Sequence, residues 1–265
     1  MLLAIDIGNS QIVCGVLQND ALIAQWRLAT DHIKTADEYD MALRSLLSIH
    51  KVDLSSIQGC IMTSVVPPLT HTFEILLHTL VGQAPLIVTA SCPHGLSLRY
   101  ENPDEIGTDR LVNAAAAFFR YQRGLIIVDF GTATTFCTIT RQGEYLGGAI
   151  APGLKGAADS LHLKTAKLPK VDLAIPPSII GRDTATSMQS GIMFGYAGLV
   201  DAIVIRIQQE IAQPTYVLAT GGLATSITPI SRTIQEVRPH LTLEGLALLY
   251  SRMTLPVDNL LPPSP

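Results

Sequence analysis

The sequence predicts an α/β protein made by duplication, with two lobes that each open in a three-stranded meander and continue in alternating strands and helices. The first observation behind this is a repeat. Leu3-Ala4-Ile5-Asp6-Ile7-Gly8-Asn9-Ser10 and Ile126-Ile127-Val128-Asp129-Phe130-Gly131-Thr132-Ala133 share the order strand, Asp-x-Gly, small polar residue. The second is register, since Cys14 follows Asp6 and Cys137 follows Asp129 at the same interval, each inside a second β-rich run. Both copies then reach a hairpin turn, Gln18-Asn19-Asp20 and Arg141-Gln142-Gly143, and enter a third strand.

Beyond the first meander, residues 35–50 set Tyr39, Leu43, Leu46 and Leu47 at helical spacing, with Thr35 and Glu38 forming a capping box. Residues 59–64 read as a buried strand, 67–80 as a helix opened by proline, 86–89 as a strand and 111–119 as a helix. In the second half, helices are predicted over 153–163, from 184 to about 211 and after Glu244, with a strand over 215–219. The predicted lobes are 1–118 and 119–260, and the Leu-Pro-Pro-Ser-Pro stretch at 261–265 is expected to be disordered. This is the duplicated actin-like (ribonuclease H-like) architecture of actin, chaperone ATPases and sugar or acetate kinases, in which nucleotide lies in the cleft between the lobes. Fold alone does not fix the reaction.

Composition narrows the class. Apolar residues at 48% against 15% charged mark a globular chain. A net charge of −4 offers no field to gather nucleic acid or anionic lipid, so neither is expected as a partner. Cys14, Cys60, Cys92 and Cys137 make no C-x-x-C pair or metal-ligand spacing, which reads as buried thiols in a reducing, cytoplasmic compartment. The N-terminus runs from an apolar strand into Asp6 without a basic leader, and apolar runs break well before the roughly 20 residues of a membrane span. None of the histidines falls in a zinc pattern, and Trp26, Met188 and Met193 read as core, Lys34 and Lys167 as surface charges.

The Asp-x-Gly turns carry the chemistry. One isolated copy is an ordinary hairpin turn, but two suggest a shared task. Gly8 and Gly131 permit a tight turn whose bare N–H groups face phosphate oxygens, Asn9, Ser10, Thr132, Thr134 and Thr135 add short donors, and Asp6 and Asp129 can hold cations nearby. Ala219-Thr220-Gly221-Gly222-Leu223-Ala224 follows a strand, and its glycines would let an adenosine approach the backbone. Transfer to an alcohol further needs a carboxylate to take the hydroxyl proton. The loop from Tyr100 to Arg110 brings Asp109 and Arg110 to a helix start. Asp109 is there either as general base or as a partner of the helix dipole, and Arg110 either as a clamp on an acceptor carboxylate or as a solvated charge.

With Ser64-Val65-Val66-Pro67, Tyr100, Asn102-Pro103, Gly107-Thr108-Asp109-Arg110, Gly147-Gly148-Ala149-Ile150-Ala151-Pro152-Gly153, Thr165-Ala166-Lys167-Leu168-Pro169 and Gly181-Arg182-Asp183-Thr184 in the same order, the chain resembles the type III pantothenate kinases. That resemblance implies transfer of the ATP γ-phosphate to pantothenate, the first step of coenzyme A synthesis. It implies ATP phosphates on Asp6, Ile7, Gly8, Asn9, Ser10, Gln11, Ile12, Val13 and Thr132, and pantothenate on Tyr100, Gly107, Thr108, Asp109, Arg110 and Thr184, with Asp109 as proton acceptor. It further implies magnesium with the nucleotide, near Asp6, a monovalent cation, potassium or ammonium, at Asp129, and a homodimer in which Thr184 reaches the neighbouring subunit's site. Residues 114–119 and 184–211 are the apolar stretches that could pair the subunits. Ser10 stands where the family commonly has Thr, and Asp183 where it has Asn. Two other functions use the same fold: a non-enzymatic transcription-accessory protein, and a chaperone- or filament-type ATPase, for which the chain lacks an added substrate domain.

Overall fold

The computed structural model describes residues 1–254, so the stretch 261–265 lies outside the described residues. The chain forms two compact units, the first from Met1–Leu96, Glu101–Arg120 and the chain from His240, the second from Ser97–Tyr100 and Tyr121–Pro239.

In the first unit β1 (Leu2–Ile7), β2 (Gln11–Gln18) and β3 (Ala21–Ala29) form the expected antiparallel meander. Asn19 and Asp20 both take positive φ, 48° and 63°, the backbone that matches the twist of a tight hairpin. Next comes α1 (Ala36–Ile49), where the Thr35 hydroxyl accepts the Glu38 N–H at 3.3 Å and the Glu38 carboxylate accepts the Thr35 N–H at 2.8 Å. β4 (Gly59–Ser64), α2 (Pro67–Val81) and β5 (Leu86–Ile87) follow, giving the sheet order β3-β2-β1-β4-β5 with β4 parallel to β1. Leu3, Ile5, Ile7, Cys60 and Met62 bury one sheet face together with Tyr39, Leu43, Phe73 and Leu77 of the two helices.

β6 (Ser97–Leu98) crosses to the second unit, and α3 (Thr108–Tyr121) returns to the first. In the second unit β7 (Leu125–Phe130), β8 (Ala133–Ile139) and β9 (Glu144–Pro152) repeat the meander. The remaining elements are α4 (Leu154–Leu163), α5 (Thr184–Ile211), β10 (Tyr216–Thr220), the short α6 (Ala224–Ile227), β11 (Glu236–Val237) and α7 (Leu241–Thr254). The second sheet runs β11-β10-β7-β8-β9-β6, with β10 parallel to β7. Its core joins Ile126, Val128 and Phe130 to Met188, Met193, Tyr196 and Val200 of α5.

Sequence order assigned α7 to the second lobe, whereas it packs on β1, β2 and β4 of the first unit, burying Leu241, Leu243, Leu246 and Leu249. Of the candidate subunit-pairing stretch 114–119, residues 114–117 of α3 are buried within the chain and Phe118 and Phe119 are half-buried. The four cysteines are buried and free, and burial, with a smaller push from the Asp6 charge, raises the Cys14 thiol far above its ordinary range. Among the described residues α5 alone is long and apolar enough to cross a membrane, but its apolar side is part of the second core.

One carboxylate anchors α5 to the loop beyond α6. Asp201, 9% exposed, accepts from the Ser231 hydroxyl at 2.7 Å, the Arg232 and Thr233 amides, and the Thr233 hydroxyl at 2.8 Å. Burial alone would raise its pKa, but these donors outweigh it and hold the value below the ordinary 3.8. The stability it contributes is therefore present above the unfolded-state pKa and lost as pH falls through the lower folded value. Asp201→Asn is expected to lower the stability by about 2–4 kcal/mol in urea unfolding at neutral pH, because it faces an amide NH2 with donors.

Candidate active site

In the first unit the site is assembled by strand register. Parallel pairing sets Asp6 opposite Thr63, and antiparallel pairing sets it opposite Val13, at the carboxyl end of β1. The fully buried Thr63 donates its hydroxyl to Thr108 Oγ1 at 2.7 Å, and Thr108 in turn donates to the Ser64 carbonyl at 3.2 Å. These bonds pin the first turn of α3 to the strand next to Asp6. Asp109 and Arg110 come with it.

Asp109 Oδ1 accepts the Arg110 N–H at 2.8 Å, as expected for a carboxylate at a helix start. Desolvation nevertheless raises its pKa, against the opposing pull of the Arg110 amide and guanidinium. A Cβ on Gly107 would fall 2.6 Å from Asp109 Oδ1, so this residue must lack a side chain for the carboxylate to sit where it does. Arg110 is only 8% exposed, which rules out the reading as a solvated surface charge.

The first Asp-x-Gly turn presents Asn9, Ser10 and Gln11 on the surface, while Ile7 and Ile12 are fully buried and can offer a ligand only their backbone. The Gly8 N–H donates to the Gln11 carbonyl at 3.0 Å. It closes the turn, so the amides that can face an anion are those that follow it.

In the second unit Asp129 ends β7 between Thr135 of β8 and Thr220 of β10. Gly221, at φ +88°, passes so close that a Cβ would lie 2.5 Å from Asp129 Oδ1 and 2.7 Å from the Phe130 backbone. The glycine pair proposed for adenosine thus abuts the second Asp-x-Gly turn. The helix it opens is only the four residues of α6. Thr132 is exposed, whereas Thr134 is fully buried and hydrogen-bonded to the Tyr196 hydroxyl, so Thr134 is a core contact and not an anion donor.

The expected acceptor segment is split. Gly107, Thr108, Asp109 and Arg110 belong to the first unit, and Tyr100 to the second, where it lies over Gly147, with a Cβ there 3.1 Å from its ring. Thr184 is exposed at the start of α5, where Asp183 caps the helix through the Thr186 N–H at 2.8 Å. It borders an open depression with Gly181, Arg182 and Met188. Thr63 was missed from sequence, although a hydroxyl inside the apolar run Gly-Cys-Ile-Met-Thr-Ser was a usable signal.

For cations, among the described residues no three His, Cys, Asp or Glu side chains cluster. In strand register Asp6 lies opposite Thr63, and Asp129 opposite Thr135 and Thr220, so each is a single carboxylate beside hydroxyl-bearing residues, oxygen donors of the kind that suit hard cations.

The fold is that of actin-like ATPases and sugar kinases. A dehydratase component A from Acidaminococcus fermentans aligns at TM-score 0.56 and 15% identity over 94% of this chain and 96% of its own. A Campylobacter jejuni protein described as a Baf family transcriptional activator aligns at TM-score 0.60 and 16% identity, over 94% and 97%. At such identities the likeness shows the fold alone. Sequence relatives say more. The family model for type III pantothenate kinase matches residues 2–206. Curated type III pantothenate kinases of Syntrophotalea carbinolica and Geobacter sulfurreducens are 49% and 48% identical over 252 residues, covering 95% of this chain and 99% of theirs. That of Moorella thermoacetica is 48% identical over 96% of this chain and all of its own. The chain belongs to the type III pantothenate kinase family.

Proposed function

We propose that this chain phosphorylates pantothenate with ATP to give 4'-phosphopantothenate, opening coenzyme A synthesis, with Asp109 as the general base. The observation that carries the reading is the carboxylate of Asp109, raised in pKa by burial, tied through Thr108 and Thr63 to the strand end that bears Asp6. The relatives at 48–49% identity are kinases of this substrate, and the likeness to the Baf protein favours no regulatory reading.

In the proposed mechanism Asn9, Ser10 and Gln11 of the first turn and Thr132 of the second bind the ATP phosphates, while Ile7, Gly8, Ile12 and Val13 hold the first turn in shape through the strand ladder. Asp6 would hold magnesium indirectly and Asp129 potassium or ammonium, cations that would neutralise phosphate charge. Arg110 grips the pantothenate carboxylate with its planar fork, while Tyr100, Gly107, Thr108 and, from a second copy, Thr184 orient the molecule. Asp109 accepts the proton as the hydroxyl oxygen attacks the γ-phosphorus and ADP leaves. A carboxylate with a raised pKa is a stronger base than a solvated one, which is the use of its desolvation.

The assembly proposed is a homodimer through α5. Its outer face carries Gly191, Gly195 and Gly198, where an added Cβ would meet nothing within 4 Å, with Ile205 44% exposed further along. Such a face admits a second backbone closely and buries apolar area.

ADP release that requires both pantothenate and a monovalent cation is the expected result for the wild-type protein; saturable nucleotide binding without a phosphorylated product would sink the reading. Asp109→Asn is expected to cut kcat by about 10²–10⁴. The wild-type rate falls as pH drops through a value above the ordinary 3.8, and this limb vanishes in the variant. Sedimentation is expected to find a dimer at micromolar concentration and a folded monomer for Gly195→Arg; a wild-type monomer would refute the interface.

A further inference from the structure

The residue after β3 extends the β2–β3 ladder by one main-chain bond and adds a side-chain hydrogen bond to the first Asp-x-Gly turn that strand pairing does not supply. Thr30 donates its hydroxyl to the Gly8 carbonyl at 2.6 Å and its N–H to the Ser10 carbonyl at 3.2 Å. Thr30 is held in turn. The next residue, Asp31, donates its N–H to the Tyr39 hydroxyl at 2.9 Å and accepts that hydroxyl's proton on its carbonyl at 2.9 Å. Tyr39 is 1% exposed and packs on Phe73 in the first core. A continuous line of contacts therefore runs from the core of the unit to the turn.

The consequence follows from peptide geometry. In a trans peptide the C=O and the next residue's N–H point in opposite directions. Holding the Gly8 carbonyl toward Thr30 aims the Asn9 N–H away from it, and holding the Ser10 carbonyl does the same for the Gln11 N–H. The same bonds turn two carbonyl oxygens away from the side on which an anion would be repelled by them. The second turn covers its carbonyls by another route: Gly153 lies so near that a Cβ would overlap the Thr132 carbonyl oxygen and stand 3.0 Å from that of Gly131. In both units the turn's oxygens are covered.

We propose that Thr30 is a positioning residue for the triphosphate, fixing the two peptide planes whose Asn9 and Gln11 amides bind the phosphate oxygens. The inference rests on the assignment of this turn to ATP. It adds a residue that touches no substrate and acts only through the orientation of the turn.

Thr30→Val keeps the shape and the main-chain bond but removes the hydroxyl, and Thr30→Ser restores it. The measurements are the ATP and pantothenate KM, and binding of ATP, inorganic tripolyphosphate and adenosine to the full chain by calorimetry. Thr30→Val is expected to raise the ATP KM and weaken both ATP and tripolyphosphate binding by about 3- to 10-fold, the loss of one hydrogen bond's worth of orientation. Adenosine binding and the pantothenate KM stay unchanged, and Thr30→Ser behaves as wild type. Equal weakening of adenosine and tripolyphosphate, or no change in either, overturns the proposal. If Thr30→Val does not fold, Tyr39→Phe, which releases Asp31, must show the same split between tripolyphosphate and adenosine. A wild type that binds tripolyphosphate in this pattern but turns over no pantothenate would defeat the substrate assignment and leave Thr30 supported.

Discussion

The parallel pairing of β1 with β4 is the constraint on which the first unit's chemistry depends. It places Asp6 opposite Thr63, and the Thr63 hydroxyl then holds Thr108 and with it the start of α3. Leu3, Ala4, Ile5 and Ile7 are all fully buried, so β1 is covered on both faces and a slip by one residue would carry Asp6 into the core. The hydrophobic effect thereby fixes the position of a carboxylate. Two hydrogen bonds transmit that position to Asp109.

The second unit reaches a similar end with different parts. Asp129 also ends a strand with an antiparallel neighbour on one side and a parallel one on the other. Its surroundings are set by close backbone approach, since Gly221 occupies space that any side chain would deny it. In open α/β sheets the carboxyl ends of parallel strands are where ligands bind, because connecting loops leave there and helix starts converge. Both aspartates stand at such ends. The duplication has kept this placement while the supporting contacts diverged, hydroxyls in one copy and glycines in the other.

Asp109 shows how burial and hydrogen bonding compete at a helix start. The Arg110 amide and guanidinium favour the ionised carboxylate, and desolvation favours the neutral acid, with desolvation prevailing. Asp201 has the reverse balance, because five donor contacts surround its two oxygens. One carboxylate is poised to take a proton, and the other to hold a loop.

The amino-acid sequence by itself determined the elements, because they rest on local physics: the Thr35 and Glu38 capping box, the apolar run of β4, the long period of α5 and the paired Asp-x-Gly turns. It also showed the family, through motifs spread along the chain. Only the tertiary structure decided that α7 returns to the first unit, that Thr134 is a core contact, that Arg110 is buried, and that Thr30 and Thr63 hold the two turns nearest the chemistry. These are contacts between residues far apart in the chain. No periodicity or spacing encodes them, since they depend on which strands pair and in what register.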